Sequence, residues 1–189
     1  MILASASPQR KTLLEGLGLS FTIVPSLIQE ESCTERDPNK RAVLLAREKA
    51  QEVADRHRGE WIVGCDTLVV TQDGQLLEKP ADSLEARSML TLQSGRASVV
   101  HSGLAIVSPA GVILDGISSS TVRFKRLSEE EIDWWIETGL WQGRSGAFQI
   151  DGPGQLMIEK IEGDWTGIVG FPVFLFGDLA GKMGFPLFQ

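Results

Sequence analysis

The chain begins with Met1-Ile-Leu-Ala-Ser-Ala-Ser-Pro-Gln-Arg-Lys11, an apolar start followed by small residues, a proline and cations. This pattern predicts a short buried strand that ends and passes into a helix. Ser7 suits the helix N-cap, and Pro8 suits the first helical position, where no N–H is needed. Arg10 and Lys11 then lie in the first turn, where the helix dipole disfavours cations. A helix N-terminus flanked by hydroxyls and Arg10 favours an oxyanion site; a surface helix with solvated cations is the alternative.

The composition is that of an acidic globular protein. Its 189 residues are 42% hydrophobic, which is enough for one sizeable core, so we expect a single domain over residues 1–189. A net charge of −7 argues against a nucleic-acid or anionic-membrane partner. No apolar run approaches the ~20 residues of a membrane span, and no secretory leader is recognisable, so we expect a cytoplasmic protein.

Cysteine and histidine are too scarce for a metal site built on thiolates or imidazoles. The sequence has two of each, Cys33, Cys65, His57 and His101, and no Cys-x-x-Cys pair. We expect both histidines at the surface or at strand ends. Surplus carboxylates favour a hard divalent cation instead, because such ions choose oxygen ligands.

An acidic residue interrupts the most apolar part of the sequence. Trp61-Ile-Val-Gly-Cys65 predicts a buried strand that ends in Asp66-Thr67, and Leu68-Val-Val70 continues the apolar run. A buried carboxylate is costly unless it is paired, protonated or bound to a metal. Buried carboxylates are rare and cluster at functional sites, so function is favoured over a satisfied structural aspartate.

A cation follows this acid closely. Asp73-Gly74 is a hairpin signal, and Pro80 makes Lys79 extended rather than helical. The hairpin therefore places Lys79 near Asp66. An acid and a cation held this close favour a site more than either residue does alone.

Two further charged groups have two interpretations each. Glu30 lies in a predicted loop, either as a solvated acid or as a metal ligand. Lys49 lies in a predicted helix from Asn39 to about His57, near the edge of its apolar stripe. Lys49 is either part of a solvated face or a cation that reaches a pocket. The predicted inward positions of this helix are Leu44, Leu45, Ala50 and Val53.

The second half of the chain predicts alternating strands and helices. The pattern favours a helix at 83–92, strands at 98–107 and 112–126, a helix from 129 to about 138, a last hairpin of 155–161 with 166–169, and a helix at 173–183. A glycine-rich loop spans 143–154 and is not a Walker A loop. Gln149 and Asp151 lie two residues apart in it, so they share a face if the segment is extended.

Six short motifs occur in order over nearly the whole chain. They are Leu3-Ala-Ser-Ala-Ser-Pro-Gln-Arg10, Leu45-Ala-Arg-Glu-Lys-Ala50, Gly64-Cys-Asp-Thr67, Leu77-Glu-Lys-Pro80, Gly143-Arg-Ser-Gly-Ala-Phe148 and Val169-Gly-Phe-Pro172. Together they resemble the Maf (septum-formation) family of nucleoside triphosphate pyrophosphatases. The resemblance implies an elongated, two-lobed α/β fold with a mixed sheet and a central cleft, similar to inosine triphosphatases. It also implies a cytoplasmic homodimer that cleaves a nucleoside triphosphate to the monophosphate and pyrophosphate with Mg²⁺ or Mn²⁺.

The resemblance also implies residue roles. Four side chains would bind phosphate or neutralise the triphosphate: Ser7, Arg10, Lys49 and Lys79. Glu30 would bind a metal ion or its water. Asp66 would be the general base or a metal ligand, and both roles stay open because burial raises a carboxyl pKa while a cation lowers it.

Two positions depart from the family's patterns. The uridine/thymidine type reads Ser-Pro-Arg-Arg and the methylguanosine type Ser-Pro-Trp-Arg, whereas this chain has Gln9 at the third place. Near the other end those types have Gln or Glu before a glycine, whereas this chain has Asp151, with Gln149 two residues earlier. The reaction class survives these changes, but the choice between dTTP/UTP and a modified nucleotide stays open.

The leading hypothesis is a metal-dependent pyrophosphatase that removes unwanted nucleotides. The alternative is a nucleotide-binding regulatory protein of cell division without significant turnover. The expected partners are the nucleotide and a second copy of the chain, with the Trp134-Trp135 helix as a candidate interface; neither nucleic acid nor membrane is expected.

Overall fold

The computed structural model of the protein describes residues 1–187, which form one mixed sheet with helices packed around it. The strands are β1 (Ile2–Leu3), β2 (Thr22–Ile23), β3 (Ile62–Thr71), β4 (Leu76–Leu77), β5 (Ala97–Val107), β6 (Ile113–Phe124) and β7 (Ile158–Glu162). The helices are α1 (Pro8–Gly16), α2 (Pro38–Arg56), α3 (Ser83–Gln93), α4 (Glu129–Thr138), α5 (Trp165–Val169) and α6 (Val173–Lys182). Short 3₁₀ segments cover Glu30–Ser32, Ser145–Ala147 and Gly152–Met157.

The strand order leaves an opening in the sheet beside β3. The order is β2-β1-β3-β5-β6-β7, and β4 pairs with β3 outside this path. Strand β5 pairs with β3 along its whole length, so β1 and β4 must share the other edge. On that edge β1 pairs at Ile62 and Val63, and β4 pairs at Val69 and Val70. Residues 64–68 lie between these two short strands, with no neighbouring strand on that side in the part of the chain described.

Helix α2 packs unusually close to the centre of the sheet. A Cβ at Gly64 would lie 2.3 Å from the Ala46 carbonyl oxygen, and one at Gly103 would lie 2.2 Å from the Ala42 carbonyl oxygen. Two glycines on neighbouring strands therefore let the helix backbone approach the sheet directly.

The buried hydrophobic residues form three clusters, and two of these, which contain Val63 and Val69 toward opposite ends of β3, form the two lobes. One includes Leu3, Leu14 and Phe176, and the other includes Phe124 and Trp135, which are all almost fully buried. The mixed α/β fold with two lobes confirms the predicted fold class. No helix within residues 1–187 is long and apolar enough to cross a membrane.

Most predicted elements are confirmed, including the start of the chain, the Asp73-Gly74 hairpin and α2 to α4. The predicted end of the strand at Asp66 is wrong, because β3 continues to Thr71 and Asp66 pairs with Gly103 of β5. A β-sheet tolerates this acid because it meets a cation, as described below.

The predicted last hairpin is also wrong. Residues 166–169 belong to helix α5, and β7 pairs with β6 instead. The side chain of Asp164 accepts a hydrogen bond from the Thr166 amide and so starts the helix. This capping outweighs the β-propensity of the short apolar run that follows.

Two expected placements of single side chains are wrong as well. Leu44 is exposed rather than inward-facing. His101 is buried in the middle of β5, where its Nδ1 lies 2.9 Å from the Ser119 hydroxyl. Burial lowers the pKa of His101, and Asp37 partly opposes this shift.

Candidate active site

The opening beside β3 is the floor of a cleft of about 670 Å³. Every site residue predicted from the sequence lines this cleft: Ser7, Gln9, Arg10, Glu30, Lys49, Asp66, Lys79, Gln149 and Asp151. They come from segments that lie far apart in the sequence, so the fold brings the whole predicted set together.

Asp66 lines the cleft and is paired with Lys49. Gly64 and Asp66 share one face of β3, and α2 packs on that face, so Lys49 of α2 reaches the carboxylate. The Lys49 Nζ lies 2.5 Å from Asp66 Oδ1, and both side chains are buried. The solvated-face interpretation of Lys49 is therefore wrong. The other oxygen, Asp66 Oδ2, is buried and has no hydrogen-bond partner among the residues described.

Glu30 extends this pair into a chain of alternating charges. Its Oε1 lies 2.8 Å from Lys49 Nζ, and its Oε2 lies 3.3 Å from Lys79 Nζ. Burial raises the pKa of Glu30, but the two ammonium groups outweigh burial and hold that pKa at about 2. The hairpin thus brings Lys79 to Glu30, and Glu30 links it to Asp66 through Lys49.

Arg10 fixes the start of α1 to the rest of the cleft. Its Nε donates to the Gly170 carbonyl at 2.8 Å, and its Nη1 donates to the Ser5 hydroxyl at 2.9 Å. Its Nη2 donates to the Thr67 hydroxyl at 3.3 Å. These acceptors explain why a cation occupies a first turn that disfavours it.

The Ser7 side chain does not cap α1, although the residue occupies the N-cap position. Its amide donates to the Ser5 hydroxyl at 3.2 Å, and its own hydroxyl lies 3.5 Å from Gln9 Oε1. Ser7 and the first residues of α1 line the cleft, where a helix N-terminus beside a hydroxyl suits an anion.

Amides and one guanidinium line the other end of the cleft. Gln9 Nε2 donates to Gln149 Oε1 at 3.1 Å, and Arg144 Nη1 donates to Gln9 Oε1 at 2.6 Å. Asp151 Oδ1 is buried and has no partner within residues 1–187. Burial lowers the pKa of Arg144, and the nearby Arg10 lowers it further, whereas Asp151 raises it. Arg144 nevertheless stays protonated, as arginines do in proteins.

Sequence reasoning missed Arg144 and Gln93. Arg144 was visible as the cation of Gly143-Arg-Ser-Gly146, but nothing local ties it to Gln9, 135 residues away. Gln93 is buried at the end of α3, and its Nε2 donates to the Gly146 carbonyl at 2.7 Å, which holds the glycine-rich loop against the cleft. No sequence pattern singles out Gln93.

The carboxylates of the cleft suit an ion such as Mg²⁺, which takes water and substrate oxygens as ligands as well, better than an ion held by protein ligands alone. No cluster of three or more potential ligands from His, Cys, Asp and Glu occurs within residues 1–187. Mg²⁺ typically keeps several waters and binds one or two carboxylates together with substrate phosphates. Asp66 Oδ2, buried and without a partner, is suited to this role, and Glu30 lies beside it in the cleft.

These observations define an α/β protein with a mixed sheet and a polar, charge-lined cleft beside its central strand. The chain belongs to the Maf family, since residues 1–183 match the family described as Maf-like protein. It is 43% identical to a dTTP/UTP pyrophosphatase of Syntrophotalea carbinolica, over 92% of this chain and 80% of that protein. It is 39% identical to a dTTP/UTP pyrophosphatase of Dictyoglomus thermophilum, over 99% of this chain and 97% of that protein.

A solved structure also shares the fold. The structure of a HAM1 protein from Coxiella burnetii superposes with a TM-score of 0.50 at 14% sequence identity, covering 97% of each chain. At this identity the likeness concerns the fold.

Proposed function

We propose that the chain hydrolyses a nucleoside triphosphate to the monophosphate and pyrophosphate in this cleft, with dTTP and UTP as the preferred substrates. Curated relatives at 39% and 43% identity carry the name dTTP/UTP pyrophosphatase. The observation that carries the proposal is the buried, unpartnered Asp66 Oδ2 within a cleft lined by cations that include Arg10, Lys49 and Lys79.

Hydrolysis at the α-phosphorus needs positioning and charge neutralisation more than covalent chemistry. We assign the phosphate chain to the α1 N-terminus, the Ser7 hydroxyl, Arg10 and Lys79. Lys49 orients Asp66 and Glu30 by binding one oxygen of each, which leaves Asp66 Oδ2 facing the reacting groups. Asp66 Oδ2 then either accepts the proton of the attacking water or serves as a metal ligand.

We also propose that a divalent cation such as Mg²⁺ or Mn²⁺ is required, held by Asp66 and Glu30. Such an ion supplies charge neutralisation on the phosphate oxygens, and the acidic net charge of the chain favours its recruitment. The expected homodimer and the expected cytoplasmic location stay predictions.

Replacing Asp66 by Asn tests the proposal directly. Pyrophosphate release is measured for dTTP, UTP, CTP, GTP and modified triphosphates, with and without Mg²⁺. We expect the wild type to prefer dTTP and UTP and the Asp66→Asn variant to lose about 10²- to 10⁴-fold in kcat, the range for a lost general base. Asp73→Asn, an exposed substitution in the hairpin turn, is the matched control and is expected to keep wild-type activity.

The outcomes separate the proposal from its rival. Undiminished turnover in Asp66→Asn would remove Asp66 from the mechanism. Wild-type binding of nucleotides with no pyrophosphate released from any of them would favour the regulatory, binding-only alternative. Equilibrium Mg²⁺ binding to both proteins separates the two roles of Asp66, because a ligand role predicts weaker Mg²⁺ binding by the variant.

A further inference from the structure

One end of the cleft contains a chain of hydrogen bonds whose donor-to-acceptor direction is determined by the arginine at its start. Arginine can only donate, so the Gln9 amide must turn its oxygen toward Arg144 Nη1, 2.6 Å away. The Gln9 nitrogen must then face Gln149, whose oxygen accepts at 3.1 Å. The Gln149 nitrogen is consequently the atom left to meet a ligand. One guanidinium therefore determines the orientation of two amides in series.

Asp151 supplies the complementary group at the same end. Gln149 and Asp151 both line the cleft, as the two-residue spacing predicts, while Ile150 between them is buried in the core. The oxygen Asp151 Oδ1 is buried and unpartnered within the described part of the chain. This end of the cleft thus offers an outward amide donor next to a carboxylate acceptor.

We propose that Arg144 is a positioning residue for base recognition, which holds Gln149 as a donor to a pyrimidine carbonyl while Asp151 accepts the ring N–H. This inference rests on the proposed function for its substrate, a uracil or thymine nucleotide. Those bases carry a carbonyl beside a protonated ring nitrogen, whereas cytosine carries an amino group beside an unprotonated one. If the Gln149 amide were reversed, its oxygen would face the base and accept a hydrogen bond from the amino group of cytosine. Arg144 acts through Gln9 and need not touch the base.

The test compares UTP with CTP in the wild type, Arg144→Met and Arg144→Lys. Methionine has a similar volume but cannot donate, so both amides become free to rotate. Lysine can only donate, so it preserves the direction of the chain. We expect Arg144→Met to lower the UTP-to-CTP ratio of kcat/KM by about tenfold or more, as expected when a buried polar group loses its partner. Arg144→Lys is expected to restore most of that ratio.

Gln149→Glu provides a second, independent readout. A carboxylate in place of the amide accepts from Gln9 with one oxygen and presents the other as an acceptor, so preference should move toward CTP. A purely structural role for Arg144 would lower activity on both nucleotides equally. An unchanged ratio in Arg144→Met, failure of Lys to restore it, or no UTP preference in the wild type would each overturn the inference.

Binding measurements keep this inference separate from the proposed function. Calorimetry with the α,β-methylene analogues of UTP and CTP gives the ratio of Kd values without turnover. If no triphosphate is hydrolysed but the Kd ratio still depends on Arg144, the proposed function fails and the positioning role stands. If turnover occurs and neither ratio depends on Arg144, the positioning role fails alone.

Discussion

Lys49 lies between two carboxylates and binds one oxygen of each, Asp66 at 2.5 Å and Glu30 at 2.8 Å. Each carboxylate stabilises the buried ammonium group, so protonating either one removes part of that stabilisation. The stability of the folded protein should therefore depend on the ionisation of Glu30, which also contacts Lys79.

The pH dependence of stability should reveal this coupling. The pKa of Glu30 lies at about 2 in the folded protein, below its ordinary value of 4.5, so its contribution is fully present above pH 4.5. It is lost progressively as the pH falls toward about 2. We expect the difference in free energy of unfolding between the wild type and Glu30→Gln to be large at pH 7 and clearly smaller at pH 3.

Urea denaturation at the two pH values measures this difference. Glu31→Gln changes an exposed neighbour that makes no ion pair within residues 1–187, and it serves as the control. A difference between wild type and Glu30→Gln that is equal at both pH values would contradict the assigned ion pairs.

Helix α2 and strand β3 depend on each other through a single glycine. The position of Lys49 relative to Asp66 follows from how closely the helix backbone approaches Gly64. A Cβ there would lie 2.3 Å from the Ala46 carbonyl oxygen and 2.7 Å from the Ala50 amide nitrogen. Both atoms belong to the backbone, so the helix itself would have to move.

The Gly64→Ala variant should lose both stability and activity. We expect a loss of at least about 1–3 kcal/mol in the free energy of unfolding, the usual cost of overpacking a core. Pyrophosphate release should fall as well, because Lys49 moves with the helix. Chemical denaturation and the release assay measure the two effects.

Gly177→Ala is the matched control for this substitution. Gly177 lies inside α6, and a Cβ there would have no atom within 4 Å. Alanine should therefore stabilise the helix by roughly 0.5–1 kcal/mol. Equal behaviour of the two variants would show that close packing at Gly64 does not control the site.

At the scale of the whole molecule, a nucleotide would bridge the two lobes. Arg10 and Ser7 lie near the cluster that contains Leu3 and Leu14, whereas Gln149 and Asp151 flank Ile150 in the cluster that contains Trp135. A ligand with phosphates at one end of the cleft and a base at the other would contact both. Such a ligand stabilises the folded state by RT ln(1 + [L]/Kd), where [L] is the free ligand concentration.

Thermal unfolding with the α,β-methylene analogue of UTP and Mg²⁺ should show this stabilisation. At a ligand concentration of 100 times Kd, the gain is about 2.7 kcal/mol. For a chain of this size, that gain should raise Tm by roughly 5–10 °C. Uridine lacks the phosphates and should produce a much smaller shift at the same concentration. No shift with the analogue at saturation would argue against binding across the cleft.

The sequence by itself determined the local elements and the chemical inventory of the site. Ser128 and Glu131 form a capping box at the start of α4, and the Asp82 side chain caps α3, so local residues set where both predicted helices begin. Asp66 was recognisable because an acid in an apolar run needs a partner. These features depend on neighbouring residues, whose preferences are readable in a short window.

Only the tertiary structure decided which groups meet. The pairing of Lys49 with Asp66 depends on α2 lying against Gly64, and the contact of Arg144 with Gln9 joins residues 135 positions apart. The unpaired edge of β3 arises because β1 and β4 are both too short to cover it. Local patterns do not encode such contacts, since each depends on how separate elements pack. The first eleven residues predicted an anion site at the start of α1, whereas the packing of distant elements determined which side chains lie around it.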